Sequence, residues 1–322
     1  MVSIRDIAKK AGVSMTSVSY ALNGNPKVSK KTTEHIKRIA EELNYRPNAA
    51  ARTLKTRYTK KIGIFIKESS GIFFGDILSG VIDMCSSAGY DTVVCTGKNA
   101  TNALIDASVD GGLIMDNNIT SEEIMRLADI GRKIVVLDRM FYHKHVRQVL
   151  LDNEKGAKDM ASHLIKRPSA RTYIVTGSKE NFDSQERVKS ALQAYAELAP
   201  SHQVEVIEGL FDLDGGLDAA RKIEEAFSGE PVNVFSLSDS TAVGMQKYWQ
   251  EKGLRIGKDI RLAGFDNSLL SQYITPPLTT IDYSTNEWGK EAARVLLQLI
   301  SEEEAHHVMI PTSLKARAST TE

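Results

Sequence analysis

Residues 2–24 read VSIRDIAKKAGVSMTSVSYALNG, and their punctuation sets the architecture of the amino-terminal region. Ser3 followed by Asp6 is a capping-box pattern, after which Ile4, Ile7, Ala8 and Ala11 recur at helical spacing until Gly12 breaks the run. Val13 is placed to act as a staple ahead of Ser14, whose hydroxyl caps a second helix running through Leu22. In that helix Val18, Ala21 and Leu22 face inward, leaving Met15, Thr16, Ser17, Ser19 and Tyr20 on the outside. Two short helices joined through a glycine turn match helix-turn-helix geometry. Ser29 then caps a third helix whose inner stripe, Ile36, Ile39, Ala40 and Leu43, closes a small core.

Working outward, charge separates this head from the rest of the chain. Formal net charge is zero over 322 residues, yet residues 1–61 hold 14 Lys and Arg against 4 Asp and Glu, and residues 62–322 hold 27 against 37. A basic head on an acidic body suits a polyanionic partner, because cations on the protein release counterions condensed on phosphates. In helix-turn-helix geometry the second helix enters the major groove. Base reading is therefore expected of Met15, Thr16 and Tyr20, and phosphate contact of Ser3, Ser14, Ser19, Asn23, Ser29 and Lys30. A helical trio that binds a protein is the alternative.

The next stretch, YRPNAAARTLKTRYTKK, contains Pro47 as a stop, Asn48 as a cap, and Ala49 to Leu54 as one or two helical turns. A helix that short needs an external surface. A symmetric partner and the DNA minor groove supply one, with Leu54 as an apolar wedge and Ala51 permitting close approach. Spacing alone leaves a plain basic linker open as the alternative. The expected divisions are a helix-turn-helix domain at 1–46, a hinge and linker at 47–60, and a core at 61–322.

In the core, short β-branched runs (KIGIFI, YDTVVC, GGLIM, IVVLD, TYIVTG, VNVFSL, IRLAGF) alternate with helical-length segments. This βα alternation predicts parallel sheets covered on both faces. The strands suffice for two lobes, one at about 61–158 with a late crossover, the other at about 159–288, and the C-terminal segment crosses back.

These segments carry a resemblance. VSIRDIAKKAGVSMTSVSYALNG, VSKKTTEHIKRIAEELNYRPNAAARTLKT and KKIGIFI resemble the head, hinge and first strand of the LacI/GalR family of bacterial transcription regulators. IVVLDRMF, VLLDNEKGAKDMASHLI, LSDSTAVGMQKY, IRLAGFDNS and PPLTTIDYSTNEWGKEAARVLLQLI continue the likeness in the family's order. It implies an α/β chain with an all-α helix-turn-helix domain and a two-lobed, periplasmic-binding-protein-like core. It further implies a homodimer on palindromic operator DNA, a small effector controlling affinity, and a repressor of carbohydrate-utilisation genes. Tyr20 stands where many members carry a guanine-reading arginine, which changes the expected operator preference at that base pair.

Ligands in such folds bind beyond the carboxyl ends of the strands. Phe73, Phe74, Asp138, Arg139, Asn181, Asp183, Arg187, Phe211, Asp239 and Asp266 are expected there. Carboxylates and a guanidinium share vicinal hydroxyls, and an aromatic ring covers the apolar face of a pyranose, so the set points to a sugar. By resemblance Arg187 and Asp266 are the principal hydroxyl-binding pair, Phe211 is the stacking ring, and Asp138 lines the cleft. Asp239 also reads as a helix cap, and Phe73 or Phe74 as core.

Enzyme classes find no support. TGSK at 176–179 lacks the spacing of a phosphate loop, and no dinucleotide fingerprint follows a strand. His143, His145, His306 and His307 lack the further ligands of a metal site. Neither cofactor nor metal is expected. The two cysteines, Cys85 and Cys95, suit a reducing compartment, and a charged N-terminus without any 18-residue apolar run suits a cytoplasmic protein that does not enter membranes. The C-terminal MIPTSLKARASTTE has no leucine heptad, so the expected assembly is a dimer. Two alternatives stay open: a regulator using a protein or phosphorylated corepressor, and a sugar-binding module without specific DNA reading.

Overall fold

The computed structural model describes residues 2–45, 58–67 and 72–321, with side chains from 74 onward in the last stretch. Asn48, Ala51 and Leu54 of the expected hinge, and the Phe73 side chain, lie outside the described residues. The chain forms two compact units, 1–59 and 60–322.

In the first unit α1 (Ile4–Ala11), α2 (Met15–Leu22) and α3 (Lys30–Glu42) enclose one core. Ser3 donates its backbone N–H (2.9 Å) and its hydroxyl (2.7 Å) to Asp6, and Gly12 ends α1 at φ 66. Ser14 accepts the Ser17 N–H at 3.0 Å and Ser29 accepts that of Thr32 at 3.2 Å. Ile7, Val18, Ala21 and Ile36 are fully buried, with Leu22, Leu43 and Tyr45 packed around them. Each buried aliphatic side chain contributes about 1.5–3 kcal/mol. With so few of them, the caps, worth roughly 1 kcal/mol each, are a substantial share of the unit's stability.

The second unit holds two parallel sheets. The first takes β1 (Lys61–Ile66), β2 (Asp91–Cys95), β3 (Gly111–Met115), β4 (Lys133–Val136), β5 (Val146–Leu151) and the late strand β11 (Val308–Ile310) in the order β11-β5-β4-β3-β1-β2. Alternation on β1 sends Ile62, Ile64 and Ile66 to a face covered by α4 (Ile72–Ser87) and α12 (Thr285–Ile300). Phe65 goes to the other face, with residues of α5 (Asn102–Ile105) and α6 (Ser121–Asp129). Its ring occupies space that a Cβ at Gly63 or Gly112 would enter at 2.7 and 2.8 Å, which is why the runs read KIGIFI and GGLIM.

The second sheet is β7-β6-β8-β9, from β6 (Thr172–Thr176), β7 (Val204–Glu208), β8 (Val232–Ser236) and β9 (Ile260–Ala263). Residues of α7 (Asn153–Ile165) and α8 (Phe182–Leu198) cluster on one side. Those of α9 (Leu213–Glu225) and α10 (Asp239–Glu251) cluster on the other. After β9 come α11 (Leu269–Tyr273) and β10 (Thr280–Asp282).

The chain passes between the sheets three times: after β5, after β10 and after β11. The last two passages are laced together by an antiparallel ribbon of β10 with β12 (Ser313–Lys315). Because α7 already packs on α8, the first passage falls at Asp152, earlier than the 158/159 divide expected from the sequence. Likewise α12 belongs with α4 from its first turn, ahead of the expected limit at 288.

Both helix pairs that clasp the lobes meet at glycines. A Cβ at Gly80 would lie 2.1 Å from the Asn286 carbonyl and one at Gly289 2.2 Å from that of Ile77, so α4 and α12 touch backbone to backbone. Gly216 and Gly244 play the same part for α9 and α10, at 2.2 Å from the carbonyls of Thr241 and Leu213. Overpacking at such a contact costs about 1–3 kcal/mol or more. Gly289→Ala is expected to lower stability by at least about 2 kcal/mol in urea melts of the core, whereas Gly75→Ala, which meets nothing within 4 Å, is expected to be near neutral or stabilising.

The returning C-terminus is held by a half-buried imidazole. His163 Nε2 lies 2.8 Å from Thr320 Oγ1, and Arg167 donates to the Thr320 carbonyl at 2.5 Å. Burial, then the charges of Arg167 and Lys166, push the His163 pKa down to about 4. An imidazole of depressed pKa contributes stability that is complete above its unfolded value near 6.5 and lost as pH falls toward 4. Thermal melts across that interval should show His163→Gln losing less stability than the parent chain.

Candidate functional site

On α2 the outward face is as the periodicity requires. Met15 is 53% exposed and Thr16 is open to solvent one turn from Tyr20, whose half-buried ring has Lys27 Nζ 5.8 Å from its centroid. Asn23 is exposed and donates its amide to the Ser19 carbonyl at 2.7 Å, while Lys30 opens α3 in the solvent. Ser3, Ser14 and Ser29 are exposed at helix starts, where unpaired backbone N–H groups favour an anion. Their side chains already serve the caps, so a phosphate there would meet cap and backbone together.

In the core, the expected effector residues gather at the carboxyl ends of both sheets. The centre is Arg187 of α8, only 3% exposed. Its Nε donates to Asn153 Oδ1 at 2.8 Å and its Nη1 to the Leu237 carbonyl at 2.7 Å, with Asp266 Oδ1 at 3.6 Å. The guanidinium carbon stands 3.6 Å from the centroid of Phe265 and 5.8 Å from that of Phe211. Asn153 donates in turn to Asp183 Oδ1 at 2.7 Å, and Tyr283 donates to Asp266 Oδ1 at 2.9 Å. A guanidinium with two aromatic faces and two carboxylates nearby can bind vicinal hydroxyls by directional hydrogen bonds.

Local backbone shape puts these groups there. Leu210 and Phe211 have φ of 60 and 64, and Asp266 and Asn267 of 118 and 48. Such conformations cost non-glycine residues about 1–3 kcal/mol each and concentrate at functional sites. Phe211 lies over Gly177, where a Cβ would meet its ring at 2.8 Å, so the glycine of TGSK is a seat for an aromatic ring. Asn181 caps α8 by accepting the Ser184 N–H at 2.8 Å.

Other expected residues have different tasks. Asp239, read as an effector contact, is 0% exposed and stands behind the site: Oδ2 accepts the Ser268 N–H at 2.7 Å and Oδ1 the Thr280 hydroxyl at 2.6 Å, bracing the loop that carries Asp266. It is the first residue of α10, whose cap is Ser238. Arg139, also expected to face a ligand, grips both Asp138 oxygens at 2.8 and 3.0 Å and donates to the carbonyls of Ile119 and Asp116. Phe74 is half-buried against the core and walls a small apolar cavity of about 10 Å³ with Ile66, Met115 and Leu137. An open depression of about 330 Å³ beside Arg171 and Glu205 lies at the amino ends of β6 and β7, away from this cluster.

The carboxyl groups are electrostatically crowded. Burial, and next the Asp266 charge, push Asp239 up, and burial likewise raises Asp266 despite Arg187 and the Tyr283 hydroxyl. Burial raises Asp138 against the pull of Arg139, with Asp183 adding to the rise. Asn153, Phe265 and Tyr283 went unremarked in the sequence. The available signals were the position of Asn153 just past VLLD and of Phe265 directly before Asp266. Asp239→Ala orphans two buried donors, so it is expected to cost about 1–3 kcal/mol in chemical denaturation, with faster amide exchange at Ser268.

A three-helix head of helix-turn-helix form on a core of two parallel sheets with a polar cluster at their carboxyl ends defines a class: DNA-binding regulators built on a periplasmic-binding-protein-like body. Comparison with known proteins narrows it. The pattern of "Bacterial regulatory proteins, lacI family" matches residues 3–48, and that of the "Periplasmic binding protein-like domain" matches residues 161–320. The chain is 33% identical over 315 residues to the HTH-type transcriptional repressor PurR of Vibrio atlanticus (strain LGP32), covering 94% of this chain and 93% of that one. It is 33% identical over 308 residues to the ribose operon repressor of Haemophilus influenzae, covering 93% and 92%. Among solved structures, a sugar-binding transcriptional regulator of the LacI family from Enterococcus faecalis superimposes with TM-score 0.78 at 35% identity, over 83% of this chain and 100% of that one. The lac repressor dimer bound to operator shares the fold, with TM-score 0.85 at 22% identity over 100% and 99% of the two chains. The chain belongs to the lacI family of bacterial regulatory proteins.

No helix among the described residues is long and apolar enough to cross a membrane, and none of their His, Cys, Asp and Glu side chains form a group of three that could hold a metal ion.

Proposed function

We propose that this regulator is a repressor that binds a palindromic operator as a homodimer and is controlled by a small sugar in the Arg187 cleft. The observation that carries the reading is the Arg187 cluster itself: a buried guanidinium set between Phe265, Phe211 and Asp266 at the strand ends. The ribose operon repressor and the sugar-binding regulator among its relatives agree with that chemistry.

In this reading α2 of each protomer enters the major groove of one half-site, the two lying about 34–36 Å apart. Met15, Thr16 and Tyr20 read bases, and Ser3, Ser14, Ser19, Asn23, Ser29 and Lys30 hold phosphates. Asn48, Ala51 and Leu54 meet the minor groove at the operator centre. Asp138, Asn181, Asp183, Phe211 and Asp266 are the effector contacts around Arg187, while Asp239 supports them and Phe74 packs on the core. The effector acts by its differential affinity for two arrangements of the lobes, which the three interlobe passages can transmit.

The test is binding of the purified chain to fragments of its own upstream DNA in about 0.15 M salt, with and without mono-, di- and trisaccharides. A palindromic fragment should outcompete bulk DNA, and one sugar should shift its affinity by about tenfold. The sign of that shift distinguishes inducer from corepressor. Thr16→Ala should cost about 1–3 kcal/mol and relax preference at one base pair per half-site. Equal affinity for all fragments would remove the head as a specific reader, and indifference to every sugar would remove the effector assignment.

A further inference from the structure

Asp266 belongs to the second lobe, yet one of its hydrogen bonds leads toward the first. Its Oδ1 accepts the Tyr283 hydroxyl at 2.9 Å and stands 3.6 Å from Arg187 Nη1, longer than a hydrogen bond. Tyr283 directly follows β10, where the chain makes its second passage between the sheets. Only Ser284 separates it from α12, and Ser284 caps that helix by accepting the Glu287 N–H at 3.2 Å. The passage therefore has little slack. Tyr283 is 6% exposed, and burial holds its phenol well above the usual pKa, so it is a neutral donor.

The Tyr283 ring meets two fully buried aromatic rings, Phe265 at 6.1 Å between centroids and Trp288 edge-on at 6.0 Å. Phe265 is a fixed wall: it lies under the Arg187 guanidinium and against α7, where a Cβ at Gly156 would meet its ring at 2.9 Å. Trp288 points the other way. It belongs to α12, and its indole N–H donates to the Val149 carbonyl on β5 of the first sheet at 2.8 Å. An effector hydroxyl that donates to Asp266 and accepts from Arg187 competes for the oxygen that Tyr283 uses. A buried phenol is costly without an acceptor, so Tyr283 adjusts with the carboxylate. With Phe265 backed by α7, the adjustment is taken up at the indole edge.

Resting on the sugar-cleft reading above, we propose that Tyr283 is the positioning residue that couples the cleft to the first lobe: its hydroxyl responds to occupation of Asp266, and its ring passes the change to Trp288 and so to β5. Coupling of this kind needs a contiguous set of packed and hydrogen-bonded groups, and the run from Asp266 through Tyr283 and Trp288 to Val149 is one. The effector signal then travels by the second of the three interlobe passages.

The test is fluorine NMR of the full chain labelled with fluorotryptophan, which carries two tryptophans. Trp249, on the far face of the second sheet with its N–H on the Ala220 carbonyl, is the internal reference. Without any sugar, Asp266→Asn is expected to shift the Trp288 signal and leave that of Trp249 in place, and the shift is expected to vanish when Tyr283→Phe is already present. A Trp288 signal indifferent to Asp266→Asn would overturn the relay even if the Tyr283 variant does not fold, and a shift that persists in Tyr283→Phe would overturn the role of Tyr283. The second arm measures operator affinity with saturating D-ribose, D-glucose or cellobiose. A sugar that changes the parent chain's operator affinity about tenfold is expected to change that of Tyr283→Phe less than about twofold. A full response in Tyr283→Phe would overturn the relay and leave the sugar cleft standing. If none of the three sugars moves the parent chain, that result counts against the sugar reading alone, and the sugar-free spectra still decide the relay.

Discussion

A guanidinium that is 3% exposed must have its donors met inside the protein, and much of the core is arranged around that demand at Arg187. Desolvating the charge costs several kcal/mol, recovered only with good geometry and additional hydrogen bonds. The partners come from separate stretches of chain: Asn153 where the chain leaves the first sheet, Leu237 past β8, Phe265 and Asp266 past β9, and Phe211 past β7. One side chain thereby ties the first interlobe passage to three strand ends of the second lobe. A change in what Arg187 contacts is felt where the lobes join.

Support for the site extends a layer deeper. Asp239 holds the loop of Asp266 through Ser268 and Thr280, and Arg317 of the returning C-terminus grips Asn267 and the Leu278 carbonyl. The positive φ values at Asp266 and Asn267 persist because these bonds over-determine them. Close helix pairing through Gly80 with Gly289, and Gly216 with Gly244, gives each lobe a rigid clasp, so the passages between the lobes are the natural place for displacement.

Much of this was legible in the residues. The three helices of the head followed from caps and apolar spacing, because Ser3, Ser14 and Ser29 act within their own turn and Ile7, Val18 and Ile36 fill one small core. The parallel sheets followed from the βα alternation. The expectation that Arg187, Asp183 and Asp266 share a neighbourhood agrees with where the structure places them, since residues just past strand carboxyl ends converge in any such fold. The roles of Asp239 and Arg139 did not follow. Whether a charged group at a strand end faces a ligand or a loop depends on neighbours far away in sequence, here Thr280 for Asp239 and Ile119 for Arg139.

By itself the sequence determined the helix-turn-helix head, the basic and acidic division of the chain, and the two-sheet class, because capping, periodicity and charge are local properties. Only the tertiary structure decided that the lobes change over at Asp152, that Gly177 seats Phe211, and that Asn153 couples Arg187 to Asp183. It also decided that Asp239 and Asp138 are held by the fold itself, through Ser268 and Thr280 and through Arg139. These depend on backbone approach and burial between segments far apart in the chain, 34 residues for Asn153 with Arg187 and 41 for Asp239 with Thr280, distances over which no pattern of spacing carries the information.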